Sequence, residues 1–165
     1  MTHSLNVVAE PQSIASGVRK PKTIAEGLAN VLADTYMLTF KTHAYHWNVE
    51  GPLFYSIHNL TEQQYEDMFA AADDLAERIR AVGQLAPMTM SEIQDRSAID
   101  DSAAAPSAGE MCKMLAKDHE RIAHRLHALI KVAGDQNDPV TEDLATARSA
   151  FHEQAAWMLK ALVAK

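Results

Sequence analysis

Apolar positions recur at helical spacing over four long stretches of this chain. In the first, Ile24, Leu28, Val31, Thr35, Leu38, Thr42 and Tyr45 alternate by four and three, which places them on one buried stripe. The spacing predicts a helix running from a capping box at Thr23-Ile24-Ala25-Glu26 to the neighbourhood of Gly51-Pro52. In the second, Ile57, Leu60, Met68, Ala71, Leu75, Ile79 and Val82 share a face, and Gly83 closes the helix. The third opens on another capping box, Ser107-Ala108-Gly109-Glu110. It carries Met111, Leu115, Ile122, Leu126 and Leu129 and stops at Gly134. The fourth opens on Asp138-Pro139, because a proline in the first turn gives up only an N–H that has no helical partner. Its expected core positions are Val140, Leu144, Ala147, Phe151, Met158 and Leu162.

Each stretch has about 25 residues and so spans roughly 38 Å as a helix. Matched lengths favour side-by-side packing. The first and last connections are short, which makes each flanking pair antiparallel. The middle one runs from about Gln84 to Pro106, long for a loop, and its Ser91-Glu92-Ile93-Gln94 predicts a short extra helix. Two helical hairpins joined by one long crossover give an all-α, ferritin-like four-helix bundle. Residues 1–22 carry Pro11, Gly17 and Pro21 without helical period and read as a flexible N-terminal tail; residues 23–165 form the bundle domain.

The chain of 165 residues suffices for one domain with a full core. Its formal charge of −7 opposes a body surface built for DNA or acidic membranes and suits attraction of cations. One cysteine, Cys112, cannot form an intrachain disulfide, and its place in a helical pattern points to core packing. The N-terminus lacks the basic start and apolar run of a signal peptide, and no apolar run approaches membrane-spanning length. The expected location is the cytoplasm.

Eight histidines in such a chain need an account. His119 and His124 flank a Glu but sit five apart, about 140° around a helix, and cannot share a metal as residues four apart can. Glu120, His124 and His127 share a face that reads first as solvated or interfacial. Glu-x-x-His, the motif that places iron ligands inside a single bundle, is absent from the sequence.

The second helix offers another arrangement. His58 and Glu62 are four apart, as are Asp73 and Glu77, and all four fall within about 100° of arc. His46, at the end of the first helix, lies across the short turn from them. For the carboxylates alone a solvated face is the plainer reading; the two histidines on the same side favour a metal. Imidazole with carboxylates suits iron. Glu62 and Asp73, eleven residues apart, are separated by roughly 16 Å, too far for one metal centre. The clusters are therefore read as halves. Two such helices packed antiparallel about a two-fold axis near Asp67 and Met68 would set Glu62 of one chain against Asp73 of the other, making two identical sites.

The run His46-Trp47-Asn48-Val49-Glu50-Gly51, with Phe54, His58 and Asp73-Asp74-Leu75-Ala76-Glu77-Arg78-Ile79, resembles the Dps miniferritins over residues 23 to 164. The resemblance implies a hollow shell of about twelve subunits with ferroxidase centres at two-fold interfaces. It carries the iron ligands onto His46, His58, Glu62, Asp73 and Glu77. Trp47 falls beside the site, where it would quench radicals or accept an electron. Glu62 stands where many members have Asp, and His43 where Lys is common, as a neighbour of the ligands or an added one. The implied reaction is oxidation of Fe(II) by hydrogen peroxide or dioxygen, storage of ferric mineral and protection from oxidative damage. The implied inlet pores would be lined near the last turn by Asp135, Asp138, Glu142 and Asp143, although capping is the main role expected of Asp138.

DNA binding, the family's other activity, rests here on Arg19, Lys20 and Lys22, three tail cations that a shell would display many times. A nucleoid-binding shell with secondary iron chemistry is thus the alternative reading, and a metal-free structural bundle the third.

Overall fold

The computed structural model describes residues 4–12, 14–101 and 105–164. Four long helices carry the fold: α1 (Pro21–Asn48), α2 (Phe54–Ala81), α4 (Ala108–Asp135) and α5 (Pro139–Leu162). The short α3 (Met90–Arg96) lies within the crossover, and a 3₁₀ turn (Ser4–Asn6) precedes the bundle. α1 packs chiefly on α2 and α4 on α5, while α1 also meets α4 and α3. Among the described residues there is no strand, and no helix is long and apolar enough to cross a membrane.

The predicted stripe of α1 is buried at every position from Ile24 to Tyr45. Those of α2 and α4 are buried too, with Leu60 only partly so. Cys112 is buried, and burial raises its thiol pKa, as expected of a packing residue. Gly27 permits the closest approach of α1 to α4, since a β-carbon there would come within 2.8 Å of Leu129 Cδ1.

Helix starts follow local chemistry, with two corrections. Ser107 accepts from Glu110 N–H while Glu110 reaches back to Ser107 N–H, as read from the sequence. Asp138 caps α5 by accepting from Thr141 N–H. The box in the crossover is formed by Thr89 and Glu92, two residues earlier than expected. The capping box expected at Thr23 is not formed. α1 begins at Pro21, whose fixed φ starts a helix, and its N-cap Lys20 has no side-chain cap bond.

The stripe predicted for α5 is also corrected. Val140 and Ala147 are exposed and Leu144, Phe151, Met158 and Leu162 only partly buried. The face that enters the bundle is Thr141, Ala145, Ser149, His152, Ala155, Ala156 and Leu159, about one residue of rotation away. The apolar period misleads because this helix faces the core with small and polar side chains.

The end of the segment read as a tail is held by the body. Arg19 N–H donates to Gln136 O, and its guanidinium donates to Asp135 O at the C-terminus of α4. Asn137 donates to Gly17 O, and Val18 packs against the core. The crossover is anchored by Asp34, which is fully buried and accepts from Ala98 N–H, Ser97 Oγ and Arg125.

Candidate metal centre

The short α1–α2 turn brings His46 and His58 together. Gly51, at φ +104°, lets the chain reverse, and Phe54 N–H donates to Gly51 O. The two imidazoles stack with centroids 3.7 Å apart. His46 Nδ1 lies 2.9 Å from His58 O, and His58 Nδ1 3.0 Å from His46 O. A carbonyl only accepts, so each Nδ1 carries its proton and donates. Nε2 is then the ring nitrogen left to offer a lone pair to a metal. Reciprocal bonding of this kind fixes both orientation and tautomer, as a pair of metal ligands requires.

Around this pair stands a set of aromatic rings. His43 is packed between Trp47, with centroids at 4.0 Å, and Tyr65 at 4.1 Å. Tyr65 meets His46 edge-on at 5.3 Å, and Phe54 stacks on His58 at 4.9 Å. The Tyr65 phenol is pushed up by desolvation and then by Glu62 and Glu66, whose negative charges oppose a phenolate. Glu62 thus lies within electrostatic reach of Tyr65, the ring that meets His46 edge-on. Trp47 is 58% exposed although it adjoins the histidines, so its indole edge is open to a neighbour.

Asp73 and Glu77 are exposed on α2 and are not brought to the histidines. Among the described residues, no group of three or more His, Cys, Asp or Glu in the single chain could hold a metal ion. Within one chain His46 and His58 are thus brought together, while Asp73 and Glu77 lie farther down α2.

His124, His127 and Glu120 lie on an exposed face, where His127 pairs with Glu153 and Glu120 with Lys160. Asp138 is fully buried and ion-paired with Arg78, which makes it a cap and removes it from any pore lining. The sequence reading missed a buried imidazole pair, His119 and His152, joined through their Nδ1 atoms at 2.8 Å.

Residues 25–165 match the family profile described as a Ferritin-like domain. The chain is 33% identical over 142 residues to DNA protection during starvation protein 2 of Bacillus anthracis, covering 86% of this chain and 97% of that one. It is 30% identical to the DNA protection during starvation protein of Brevibacillus brevis, covering 85% and 94%. The crystal structure of Dps from Staphylococcus aureus superposes with a TM-score of 0.86 at 30% identity, covering 90% of this chain and 99% of that one. The chain belongs to the Dps family of miniferritins. The family carries an iron-storage and DNA-protection role, and the fold expected from the pattern of helices and crossover is the one found.

Proposed function

We propose that the protein is a ferroxidase and iron store that oxidises Fe(II), with hydrogen peroxide as the favoured oxidant, at sites shared between two subunits. The observation that carries this reading is the locked pair His46 and His58, whose Nδ1 atoms are taken up by carbonyls so that Nε2 is the ring atom left for a metal, on a chain whose described residues gather no group of three or more such ligands. Each complete site would take His46, His58 and Glu62 from one subunit and Asp73 and Glu77 from its partner. Two imidazoles with three carboxylates suit iron, because the carboxylates balance the charge gained on oxidation and oxygen donors favour the ferric product.

The surface of α1 and α2 supports the pairing. Tyr36, Phe40, Trp47, Phe54, Tyr55 and Phe69 are exposed there, more aromatic surface than an isolated domain usually leaves in water. An isologous contact through this face would bury it and bring the half-sets together. Further contacts of this kind would close a shell of about twelve subunits enclosing the mineral. The protein's own residues then have separate tasks. The carbonyl-bonded imidazoles hold ligand geometry, Glu62 supplies charge near the entering Fe(II), and Trp47 with His43 and Tyr65 forms a ring stack that can release an electron to a stray oxidant. The negative formal charge and the exposed acids Asp135 and Asp143 favour arrival of the cation, and the proposed setting is the cytoplasm.

Anaerobic addition of Fe(II) followed by hydrogen peroxide, with ferric absorbance recorded, tests the reading. Binding of Fe(II) and a rapid peroxide-dependent rise are expected. No binding above the level of a His58→Ala variant would overturn it.

A further inference from the structure

The bundle interior contains a polar layer that the iron site does not use. Gln64 is 3% exposed, and neither its Nε2 nor its Oε1 has a hydrogen-bond partner. The same holds for Thr42 Oγ1, His119 Nε2 and Arg148 Nη2. These atoms come from all four long helices, and the contacts place them at one level. His46 faces His58 across α1 and α2, which sets Gln64 opposite Phe40, half a turn from Thr42. Lys41–Asp118 and Arg125–Asp34 fix the register of α4 on α1 and bring His119 to that height. Arg148–Asp67 fixes α5 on α2 and brings His152 there, bonded to His119. Thr42, Gln64, His119, His152 and Arg148 thus occupy one slice of the bundle.

A buried polar atom without a partner costs its desolvation, and native interiors keep few of them. Five in one slice point to an occupant. Its chemistry follows from the atoms. Arg148 Nη2 and Gln64 Nε2 are donors, while Gln64 Oε1 is an acceptor. A metal ion would use lone pairs alone, leave both donors unpaired and sit beside the Arg148 charge. An anion would leave Gln64 Oε1 unpaired. Burial, aided by Arg148, holds His119 and His152 neutral, so neither supplies a charge for either kind of ion. A small neutral molecule that donates and accepts satisfies the set.

There is also a way in. α2 and α5 touch sparingly, and between them lies a groove of about 280 Å³ lined by Leu60, Gln64, Asp67, Phe151, Ala155 and Met158. Gln64 thus belongs both to the groove and to the layer. Thr42 lies one helical turn, roughly 6 Å, from His46. We propose that this layer is a binding site for a small neutral hydrogen-bonding molecule of the class of water and hydrogen peroxide, filled through the α2–α5 groove and delivering oxidant to the iron site from the subunit interior. The delivery step rests on the ferroxidase reading; the binding site does not.

High-resolution crystal structures of the assembled wild-type protein and of Gln64→Leu, each with and without a hydrogen peroxide soak, test the site. The wild type should show ordered molecules bonded to the Gln64 amide and His119 Nε2, and Gln64→Leu should lose those at Gln64. A dry layer in which Gln64 and Arg148 bond directly to each other would overturn the site. Gln64→Met serves the same comparison should the leucine variant not fold. For delivery, the peroxide concentration giving half-maximal oxidation should rise about ten-fold in the variant, while anaerobic Fe(II) binding stays unchanged. An unchanged peroxide dependence would overturn delivery. A wild type that binds no Fe(II) would overturn the ferroxidase reading and leave the crystallographic result to decide the site.

Discussion

At the residue scale, two histidine pairs differ in both geometry and chemistry, one stacked at 3.7 Å and the other tilted at 5.0 Å. His46 and His58 give their Nδ1 protons to carbonyls and keep Nε2 free. His119 and His152 face each other through Nδ1 in the core, where burial first and Arg148 next depress the His119 pKa to about 3, and burial first, then His119 and Arg148, hold the His152 pKa well below its usual value. The sign of the pH effect follows. With the folded pKa below the unfolded 6.5, the unfolded chain takes up protons that the folded chain refuses. Stability from this source is full above about pH 6.5 and is lost as the pH falls toward 3. Between pH 6.5 and 4.5 the free energy of unfolding from urea titrations should fall, with a slope approaching about 1.4 kcal/mol per pH unit from His119 and a further fall of the same sign from His152. The double variant His119→Leu/His152→Leu should flatten that slope, and a slope identical to wild type would assign the acid sensitivity elsewhere. For iron, Glu62→Gln keeps shape and removes charge. Weaker Fe(II) binding and slower oxidation in an intact shell are expected, with calorimetry and stopped-flow absorbance as the measurements.

At the element scale, the crossover depends on one carboxylate. Asp34 has no exposed surface and holds the segment after α3 through Ser97, Ala98 and Arg125. Burial raises its pKa against the lowering by Ala98, Arg125 and Ser97, so desolvation is the largest influence on it. Removing it strands buried partners. Asp34→Ala should cost roughly 3 kcal/mol, read from denaturant unfolding. A loss below about 0.5 kcal/mol, the usual scale of surface substitutions, would show that α3 and the crossover are held by packing alone. The N-terminal segment bears on the DNA reading. Arg19 is committed to the end of α4, while Lys20 and Lys22 remain exposed. Any retardation of DNA by this segment should fall steeply with salt and disappear when residues 1–22 are deleted. Retardation unchanged by deletion would place the contact on the body.

At the scale of the whole molecule, the exposed aromatic face and the proposed division of the ligands make the same demand for a neighbour. Native mass spectrometry should find a closed assembly of about 12 subunits, and a stable monomer at micromolar concentration would contradict it. The shared site has a sharper test in two variants, His58→Ala and Asp73→Ala, each expected to be inactive. If sites lay within one chain, mixing these could restore nothing. With shared sites, a hybrid pair has one site with both defects and one with neither. Random pairing makes half the pairs hybrid, so about a quarter of full activity should return on co-expression. Co-assembled shells no more active than either parent would refute the intersubunit centre.

The sequence by itself determined four helices, their order, the crossover with its short helix, and the buried stripes of α1, α2 and α4. Those features are local, because helical period and caps are written in residues a few positions apart. It also singled out His46, His58, Glu62, Asp73 and Glu77, since the spacing along α2 shows that one chain cannot gather them. The tertiary structure decided what depends on residues distant in sequence. It rotated α5 so that Ser149 and His152 are buried, with His152 bonded to His119 of α4, a polar contact that an apolar period cannot report. It anchored the segment just before α1 through Gly17 and Arg19, because their partners lie at the distant end of α4. It fixed the tautomers of His46 and His58, because their carbonyl partners lie across a turn and are set by how two helices pack.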